Sequence, residues 1–207
     1  MTTTQAPRRR RDAEENRAAL LEAAGAVLNR DPGASLDAIA AEAGLSRRAL
    51  YGHFATRDDL IHSLLAHGVS RVLAATEQVE HPDPATLLAL IGVRMWREVE
   101  SVRVMAQFTV RGPFQQELAF GLAPLRDRVR HAVTVGAASG RIRDDIDPGI
   151  LARLVEGAVL SVLDEATRSP IDAATGERLV ALSVLGMLGF SADEAHALAA
   201  DTTGLHA

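Results

Sequence analysis

The stretch that decides the fold reads SLDAIAAEAGLSRRALYGHF and spans residues 35–54. It contains two short segments with helical spacing that meet at Gly44, and a serine precedes each of them. Ser35 would cap the first helix and Ser46 the second, over 47–53, while glycine suits the end of a helix. Small and apolar residues stand where two crossing helices would touch, at Ala40, Ala41, Leu45 and Leu50. The stretch predicts a helix-turn-helix, a motif whose second helix lies in the major groove of DNA.

The predicted second helix begins with two arginines, Arg47 and Arg48. Arginine is well suited to bidentate hydrogen bonds with guanine O6 and N7, and the N-terminal residues of such a helix face base edges. Tyr51, His53 and Arg57 follow at spacings that would reach phosphates. These residues alone leave one alternative open, an ordinary helical hairpin whose arginines are exposed and contact nothing.

Helical spacing of apolar residues continues on both sides of this motif. Upstream, Asp12 can cap a helix over 13–30, and downstream Thr56 and Asp59 form a capping box for a helix over 57–78. No segment has the alternation of a strand, so the sequence predicts an all-α protein of about nine to ten helices. The remaining predicted helices span 36–43, 85–99, 101–111, 114–138, 148–168, 173–189 and 192–200.

The composition excludes several kinds of chemistry. The 207 residues include no cysteine, which removes disulfides, thiolate metal ligands and a cysteine nucleophile. All 22 basic residues other than histidine are arginine, so the chain has neither a P-loop lysine nor a Schiff-base lysine. Asp193-x-x-His196 is a single, imperfect echo of the paired Glu-x-x-His motifs of di-iron bundles. We therefore expect no enzyme, no cofactor and no metal site.

The charge is unevenly distributed along the chain. Residues 1–57 carry nine arginines and seven acids, while residues 58–207 carry thirteen arginines and twenty acids. A basic end on an acidic body indicates nucleic-acid contact at that end. The run Arg8–Arg11 supplies much of the excess. We expect residues 1–11 to form a disordered basic arm, and whether the arm contacts DNA is left open.

The first 65 residues resemble the DNA-binding domain of the tetracycline-repressor (TetR) family of bacterial transcription regulators. The segments IAAEAGLS, LYGHF and TRDDL carry this resemblance, and the length of the chain and its helical remainder agree with it. The resemblance implies a three-helix DNA-binding domain followed by a helical ligand-binding and dimerisation domain. The DNA-binding residues that we predict are Ser35, Ser46, Arg47, Arg48, Ala49, Tyr51, His53 and Arg57.

The resemblance also implies a role for each position. The residues placed at base edges are Arg47, Arg48 and Ala49. The residues placed at backbone phosphates are Ser35, Tyr51, His53 and Arg57, the last in place of the lysine that the family usually has. Gly52 departs from the larger residue that is common at this position, which removes one possible contact.

The predicted helix over 173–189 is apolar on nearly all sides and must therefore be buried on all of them. Its neighbour over 148–168 has Gly157 and Ser161, which permit close approach. We expect these two helices to pair with the same helices of a second subunit, as in relatives of the family. The alternative is a helix at the centre of the monomer itself. The predicted interface residues are Leu151, Val155, Ala158, Val162, Val180, Val184, Met187 and Leu188.

The resemblance implies that the predicted helices from 57 to 138, together with the helix over 148–168, enclose a ligand pocket. Plain core packing is the alternative for each aromatic residue and methionine. A mostly apolar pocket would take a lipophilic or aromatic effector. The predicted lining residues are Met95, Trp96, Arg103, Gln107, Phe108, Phe114, Phe120 and His131.

Three regions and one function follow. We expect a basic arm over 1–11, a DNA-binding domain over 12–57, and a ligand-binding and dimerisation domain over 58–207. The chain would act in the cytoplasm, away from membranes, as a homodimeric repressor that binds a palindromic operator and is released by a small effector. Co-repression, with the opposite sign, is left open. The alternative function is an all-α small-molecule-binding or interaction protein that does not bind DNA.

Overall fold

The structure is a computed structural model, and it describes residues 6–100, 114–169 and 171–204. Over these ranges the chain forms ten helices and no strand, which confirms the all-α prediction. Contacts divide the chain into two compact units, residues 1–68 and residues 69–207. The division falls inside a helix, beyond the domain boundary expected after Arg57.

The first unit contains three helices and most of a fourth. Leu20, Leu28, Ile39, Leu50 and Leu60 are each at most 1% exposed and form the buried side of these helices. In α1 the buried residues Leu20, Ala24, Val27 and Leu28 recur at three and four residues, which places them on one face of the helix. The helices are α1 (Ala6–Arg30), α2 (Leu36–Glu42), α3 (Arg47–His53) and α4 (Arg57–Glu77), the last of which continues into the second unit.

The second unit is a larger bundle. Its helices are α5 (Pro84–Val99), α6 (Gln115–Gly121), α7 (Ala123–Ala138), α8 (Pro148–Arg168), α9 (Ala173–Met187) and α10 (Ala192–Gly204). Asp83, Asp147 and Asp172 each accept a hydrogen bond from a backbone N–H of the helix that follows, so three of these helices begin at an aspartate cap. The first two of these caps precede a proline, which is suited to the first helical position.

Two glycines let α5 and α9 approach closely in the second unit. A Cβ atom added to Gly176 would lie 2.0 Å from Cζ2 of Trp96, and one added to Gly92 would lie 2.9 Å from a methyl of Val180. Trp96 and Val180 are consequently buried, with exposures of 1% and 0%. The core of this unit therefore depends on glycine at the point where α5 and α9 meet.

Two of the helix predictions are wrong. The helix expected over 13–30 begins earlier, at Ala6, and so includes residues assigned to the basic arm; arginine has a high helix propensity, and Pro7 is tolerated in a first turn. The single helix expected over 114–138 is two helices, α6 and α7, separated at Leu122. Pro124 explains the break, because proline lacks an N–H and its ring clashes with the carbonyl four residues earlier.

The other described helices agree with the predicted ranges to within a few residues. The helix expected over 101–111 lies outside the described residues. Of the helices described in residues 6–100, 114–169 and 171–204, none has the length and apolar character needed to span a lipid bilayer.

Candidate nucleic-acid interface and ligand cavity

The turn between α2 and α3 is fixed by backbone hydrogen bonds. Gly44 has φ of +66°, a conformation that residues with a Cβ atom rarely adopt. Its N–H donates to the carbonyl of Ala41 at 3.0 Å, and the N–H of Leu45 donates to the carbonyl of Ala40 at 2.9 Å. This pair of bonds is a Schellman motif, which ends α2 and sets the direction in which the chain enters α3.

Two serine caps complete this frame. The Ser35 hydroxyl accepts a hydrogen bond from the N–H of Ala38 at 3.2 Å, and the Ser46 hydroxyl accepts one from the N–H of Ala49 at 3.1 Å. Each hydroxyl keeps its own proton for donation to another acceptor. Both predicted caps are confirmed, and each serine hydroxyl can still donate a hydrogen bond to a phosphate oxygen.

One side of α3 is buried and the other is exposed. Leu50 and Phe54 are 0% and 2% exposed and hold the helix against the first unit. Arg47, Arg48 and Tyr51 lie on the exposed side, and Tyr51 is 43% exposed. The first turn of α3 therefore presents two guanidinium groups and a phenol on one surface.

Arg47 and Arg48 differ in their surroundings. Arg47 forms an ion pair with Asp37 at 3.1 Å, and its guanidinium carbon lies 5.5 Å from the centre of the Tyr51 ring. A side-chain hydrogen bond with Tyr51, and then the charge of Asp37, raise the pKa of Arg47 above its usual value. Arg48 is exposed and forms no ion pair with any described residue. The cation of Arg48 is therefore available without breaking an existing contact.

Arg57 has a contact that the sequence did not indicate. Its guanidinium donates to the carbonyl of Pro32 at 2.6 Å and to the carbonyl of Ala34. These bonds hold the loop that leads into the Ser35 cap. Arg57 therefore positions α2, and two of its five N–H groups are engaged before any phosphate is present.

The remaining predicted DNA-binding residues lie near the same surface. Ala49 and His53 are half-buried on α3, and the rings of His53 and Phe54 lie 6.3 Å apart. The eight predicted residues thus occur at the start of α2, along α3 and at the start of α4.

The second unit contains a cavity of about 240 Å³ between α5, α7 and α8. Its walls are mainly apolar. The lining residues are Leu88, Ile91, Gly92, Met95, Leu122, Leu125, Arg126, Val129, Arg130, Gly149, Ala152, Arg153, Val155, Glu156 and Val159.

Four charged residues line this apolar cavity. Nε of Arg126 donates to Glu156 at 3.0 Å, and Nη1 of Arg126 donates to the carbonyl of Ala119 at 3.1 Å. Arg130 pairs with Asp127 at 2.7 Å on the same helix. Arg153 is exposed and forms no ion pair with any described residue. Acidic residues thus neutralise Arg126 and Arg130, whereas no described acidic residue neutralises Arg153.

Most of the predicted pocket residues lie elsewhere. Met95 lines the cavity, as predicted. Trp96 packs against Gly176 of α9 and is absent from the lining, and its Nε1 has no hydrogen-bond partner among the described residues. Phe120 is 86% exposed and His131 is exposed, so neither forms a wall. Phe114 is half-buried before α6 and is absent from the lining. Three more predicted residues lie outside the described ranges, at Arg103, Gln107 and Phe108.

The charged lining residues were not predicted, because the polar contacts were expected at Arg103, Gln107 and His131 instead. The available signal was the charge pattern of α7 and α8. Arg126 and Arg130 are four residues apart on α7, and Arg153 and Glu156 are three apart on α8. Such spacings place each pair on one face of its helix.

Six predicted interface residues belong to the core of their own subunit. Side chains that are buried within one subunit leave no surface for a partner, and each of these is at most 7% exposed. The alternative of a helix at the centre of the monomer therefore describes these residues better. The six residues are Leu151, Val155, Val162, Val180, Val184 and Leu188. Ala158 and Met187 are half-buried.

A different set of residues forms the outer faces of α8 and α9. Ile150 and Leu154 on α8 are 46% and 41% exposed, and Leu179 on α9 is 37% exposed. Glycines lie beside them on each helix, at Gly157 and Gly186, and nothing lies within 4 Å of a Cβ atom built on either. We call the exposed residues of these two helices the α8–α9 face.

A capped helix-turn-helix followed by a helical domain with a cavity is typical of regulators in which one chain binds both DNA and a ligand. Residues 19–64 match the model of the family described as bacterial regulatory proteins, tetR family. The match agrees with the resemblance of the N-terminal domain to the DNA-binding domain of this family.

Several solved structures share the fold over most of the chain at low sequence identity. CprB, a TetR-family protein from S. coelicolor A3(2), is 21% identical, with a TM-score of 0.68 over 92% of this chain and 98% of that one. The transcriptional regulator FadR from Bacillus subtilis, in complex with stearoyl-CoA, is 19% identical, with a TM-score of 0.69 over 83% and 97%. SmeT, the repressor of the Stenotrophomonas maltophilia multidrug efflux pump SmeDEF, is 24% identical, with a TM-score of 0.65 over 83% and 88%. No curated protein matches the sequence.

Proposed function

We propose that the chain is a ligand-responsive transcription regulator that binds DNA through α3. The observation that carries this proposal is the exposed first turn of α3, with Arg47 and Arg48 on a helix whose direction Gly44 and Ser46 fix. A cationic, pre-oriented helix start of this kind suits the major groove. In the cytoplasm, where bacterial DNA lies, the regulator would act without a membrane partner.

The side chains of α3 suggest how the two kinds of contact are divided. Arg47 and Arg48 reach base edges, where a guanidinium can bind guanine bidentately. Ser35, Ser46 and Tyr51 have hydroxyl donors that suit phosphate oxygens. His53 is half-buried and contributes at most through one ring nitrogen. Ala49 offers only a methyl group, which suits the methyl of thymine.

A homodimer would present two copies of α3 to DNA. The α8–α9 face, which includes Ile150, Leu154 and Leu179, is the apolar surface in the second unit that supports this assembly. Its glycines would let helices of two subunits approach closely. A two-fold dimer would recognise a palindromic operator, with half-sites about one helical turn apart.

Ligand control would connect the cavity to α4. Leu125, Arg126 and Val129 on α7 line the cavity, and Arg128 on the same helix donates to the carbonyl of Thr76 at the C-terminal end of α4 and to that of Val79 just after it. A ligand that shifts α7 would therefore act on the end of the helix that begins at Arg57. Release from DNA follows if the ligand favours the conformation that does not bind the operator.

Two of the structurally similar proteins support the finer parts of this proposal. SmeT is a repressor, and FadR was solved with a lipophilic ligand. By analogy, this chain would be a repressor that a lipophilic effector releases from DNA. An effector that instead tightens binding to the operator would make the chain a co-repressed regulator.

The test is a selection of the duplex oligonucleotides that the purified chain binds, from a random pool. Fluorescence anisotropy then measures their binding at several salt concentrations. We expect selected duplexes to bind tightly, and Arg47→Ala with Arg48→Ala to abolish the preference over random DNA. The control is Arg168→Ala, which removes the same charge from the end of α8. Equal, weak binding of every duplex by all variants would favour the alternative, a ligand-binding protein that does not bind DNA.

A further inference from the structure

The cavity in the second unit has an apolar interior and a positive side. Its apolar part lies between α5, α7 and α8, and three of its charged lining residues are arginines against one glutamate. A neutral lipophilic ligand would leave this excess of positive charge unused. The combination indicates an amphipathic ligand with a negative group.

Arg126 can bind an anion without losing its present contacts. Its guanidinium has five N–H groups, and Nε, Nη1 and Nη2 each use one, toward Glu156 and the carbonyl of Ala119. Two N–H groups remain. Because Glu156 and Ala119 already hold the guanidinium in place, little side-chain freedom would be lost on binding.

Arg153 supplies the charge that no acid balances. Arg126 is paired with Glu156 and Arg130 with Asp127, whereas Arg153 forms no ion pair with the described residues. Nη1 of Arg153 lies 3.8 Å from the Cβ position built on Gly149, another lining residue, so its guanidinium is beside the cavity. Arg126 and Arg153 both line the cavity, so a ligand carboxylate between them would be flanked by two guanidinium groups, one of which is bonded to Glu156.

The volume limits the size of the apolar part. A cavity of about 150 Å³ accommodates benzene. The cavity of about 240 Å³ therefore holds about ten non-hydrogen atoms, such as a medium-length alkyl chain.

We propose that the effector is a monocarboxylate of about this size, with its chain between α5, α7 and α8 and its carboxylate on Arg126 and Arg153. This assignment names the ligand class of the proposed regulatory cavity and rests on that proposed function. It concerns binding alone and requires no chemical step.

The test measures binding of three probes of equal length to the full chain by calorimetry, without DNA. The probes are octanoate, octan-1-ol and octylammonium. We expect octanoate to bind at least about tenfold more tightly than octan-1-ol, because its carboxylate forms charge-assisted hydrogen bonds. Octylammonium should bind most weakly. Equal affinities, tighter binding of octylammonium, or no binding of octanoate would overturn the assignment.

Two variants locate the carboxylate. Arg126→Gln and Arg153→Gln should each remove most of the preference for octanoate over octan-1-ol, while Arg168→Gln, at the far end of α8, should retain it. Calorimetry with octan-1-ol reports whether the cavity is still formed. An unchanged preference in both cavity variants would overturn the proposal. The proposal would also be overturned if sedimentation showed that Arg153→Gln disrupts a dimer while calorimetry showed an unchanged affinity for octanoate.

DNA binding by the same preparations separates this proposal from the regulator itself. If the chain binds selected duplexes and ignores octanoate, the ligand class is wrong and the DNA-binding function stands. If it binds octanoate through Arg126 and Arg153 and binds no duplex specifically, the ligand class stands and the regulatory function is wrong.

Discussion

The surface of α3 and the cavity of the second unit are built in different ways. The surface depends on residues that are neighbours in sequence, since the Ser46 cap, the Gly44 turn and the exposed Arg47 and Arg48 lie within five positions. The cavity depends on three helices whose lining residues lie as far apart as Leu88 and Val159. A change at the surface should therefore alter contacts and leave the fold intact, whereas a change in the bundle should alter the fold itself.

The largest expected effect comes from the crossing of α5 and α9. Gly176→Ala would place a Cβ atom 2.0 Å from the Trp96 ring, and overpacking of this severity should lower the free energy of unfolding by about 3 kcal/mol. Trp96 is the only tryptophan, so its fluorescence during urea unfolding reports on the second unit.

The control is Gly68→Ala on α4, where nothing lies within 4 Å of the added atom, and its unfolding is followed by helical circular dichroism because Gly68 lies in the first unit. Alanine favours a helix over glycine by about 0.5–1 kcal/mol, so this variant should be neutral or slightly more stable. Equal stability of the two variants would break the contrast, because it would mean that α9 moves away from Trp96 without cost.

The next effect tests whether the α3 surface is separate from the fold. Arg48→Ala should weaken binding to the selected duplex by about 1–3 kcal/mol and relax the preference at one base pair, while thermal unfolding stays unchanged. Arg47→Ala should cost less, because Arg47 must first leave Asp37. Asp37→Asn should accordingly tighten binding. Anisotropy titrations over single-base variants of the duplex give all three values, and a weaker complex with Asp37→Asn would contradict this order.

Arg57 sharpens the contrast, since it lies at the surface and also holds the fold. Arg57→Ala removes the bonds to the carbonyls of Pro32 and Ala34, and we expect a loss of about 1–2 kcal/mol in the stability of the first unit. Arg57→Lys keeps the charge and restores part of the bonding. Hydrogen exchange of the amides of α2 measures the loss. If both variants weaken DNA binding and leave exchange unchanged, Arg57 is a phosphate contact only.

The smallest effect concerns pH and the second unit. Burial alone would raise the pKa of Asp83, but hydrogen bonds from Arg141 and Thr86 outweigh it and hold the pKa below its usual 3.8. Since the folded state binds the proton less readily, this stabilisation is complete above the usual value and is lost as the pH falls through the lowered one.

Asp83→Asn should therefore flatten the fall in stability below about pH 4, at a cost of about 1 kcal/mol near neutral pH. Unfolding in urea at a series of pH values, followed by Trp96 fluorescence, provides the measurement. Arg141→Ala removes the ion pair and should flatten the same region. An unchanged pH profile in both variants would assign acid sensitivity to other carboxylates.

The same difference between the two regions decides what the sequence could predict. Serine and aspartate caps, Gly44 and the proline after Asp83 act over a few residues, and they predicted α2, α3 and α5 closely. Apolar periodicity indicated that Val180 is buried but could not say which helix covers it. In the structure α5 covers it, at Gly92, and no second subunit is required.

The cavity illustrates the same limit. Aromatic residues were the expected walls, yet Phe120 is on the surface and Trp96 faces α9. The polar contribution comes from Arg126 and Glu156, thirty residues apart in sequence, on two helices whose packing no local pattern determines. Direct sequence resemblance covers the N-terminal domain, so it gave roles to α3 and only an outline of the body.

The Schellman turn at Gly44 has a consequence for engineering. Gly44, Ser46, Leu50 and Phe54 hold α3 in place, and the outward positions 47, 48 and 51 add only the exposed ion pair of Arg47 with Asp37. Randomising those three positions would generate a library of regulators with altered target sequences on an unchanged scaffold. The same effector would still control every member of the library, because its binding site in the second unit would be unchanged.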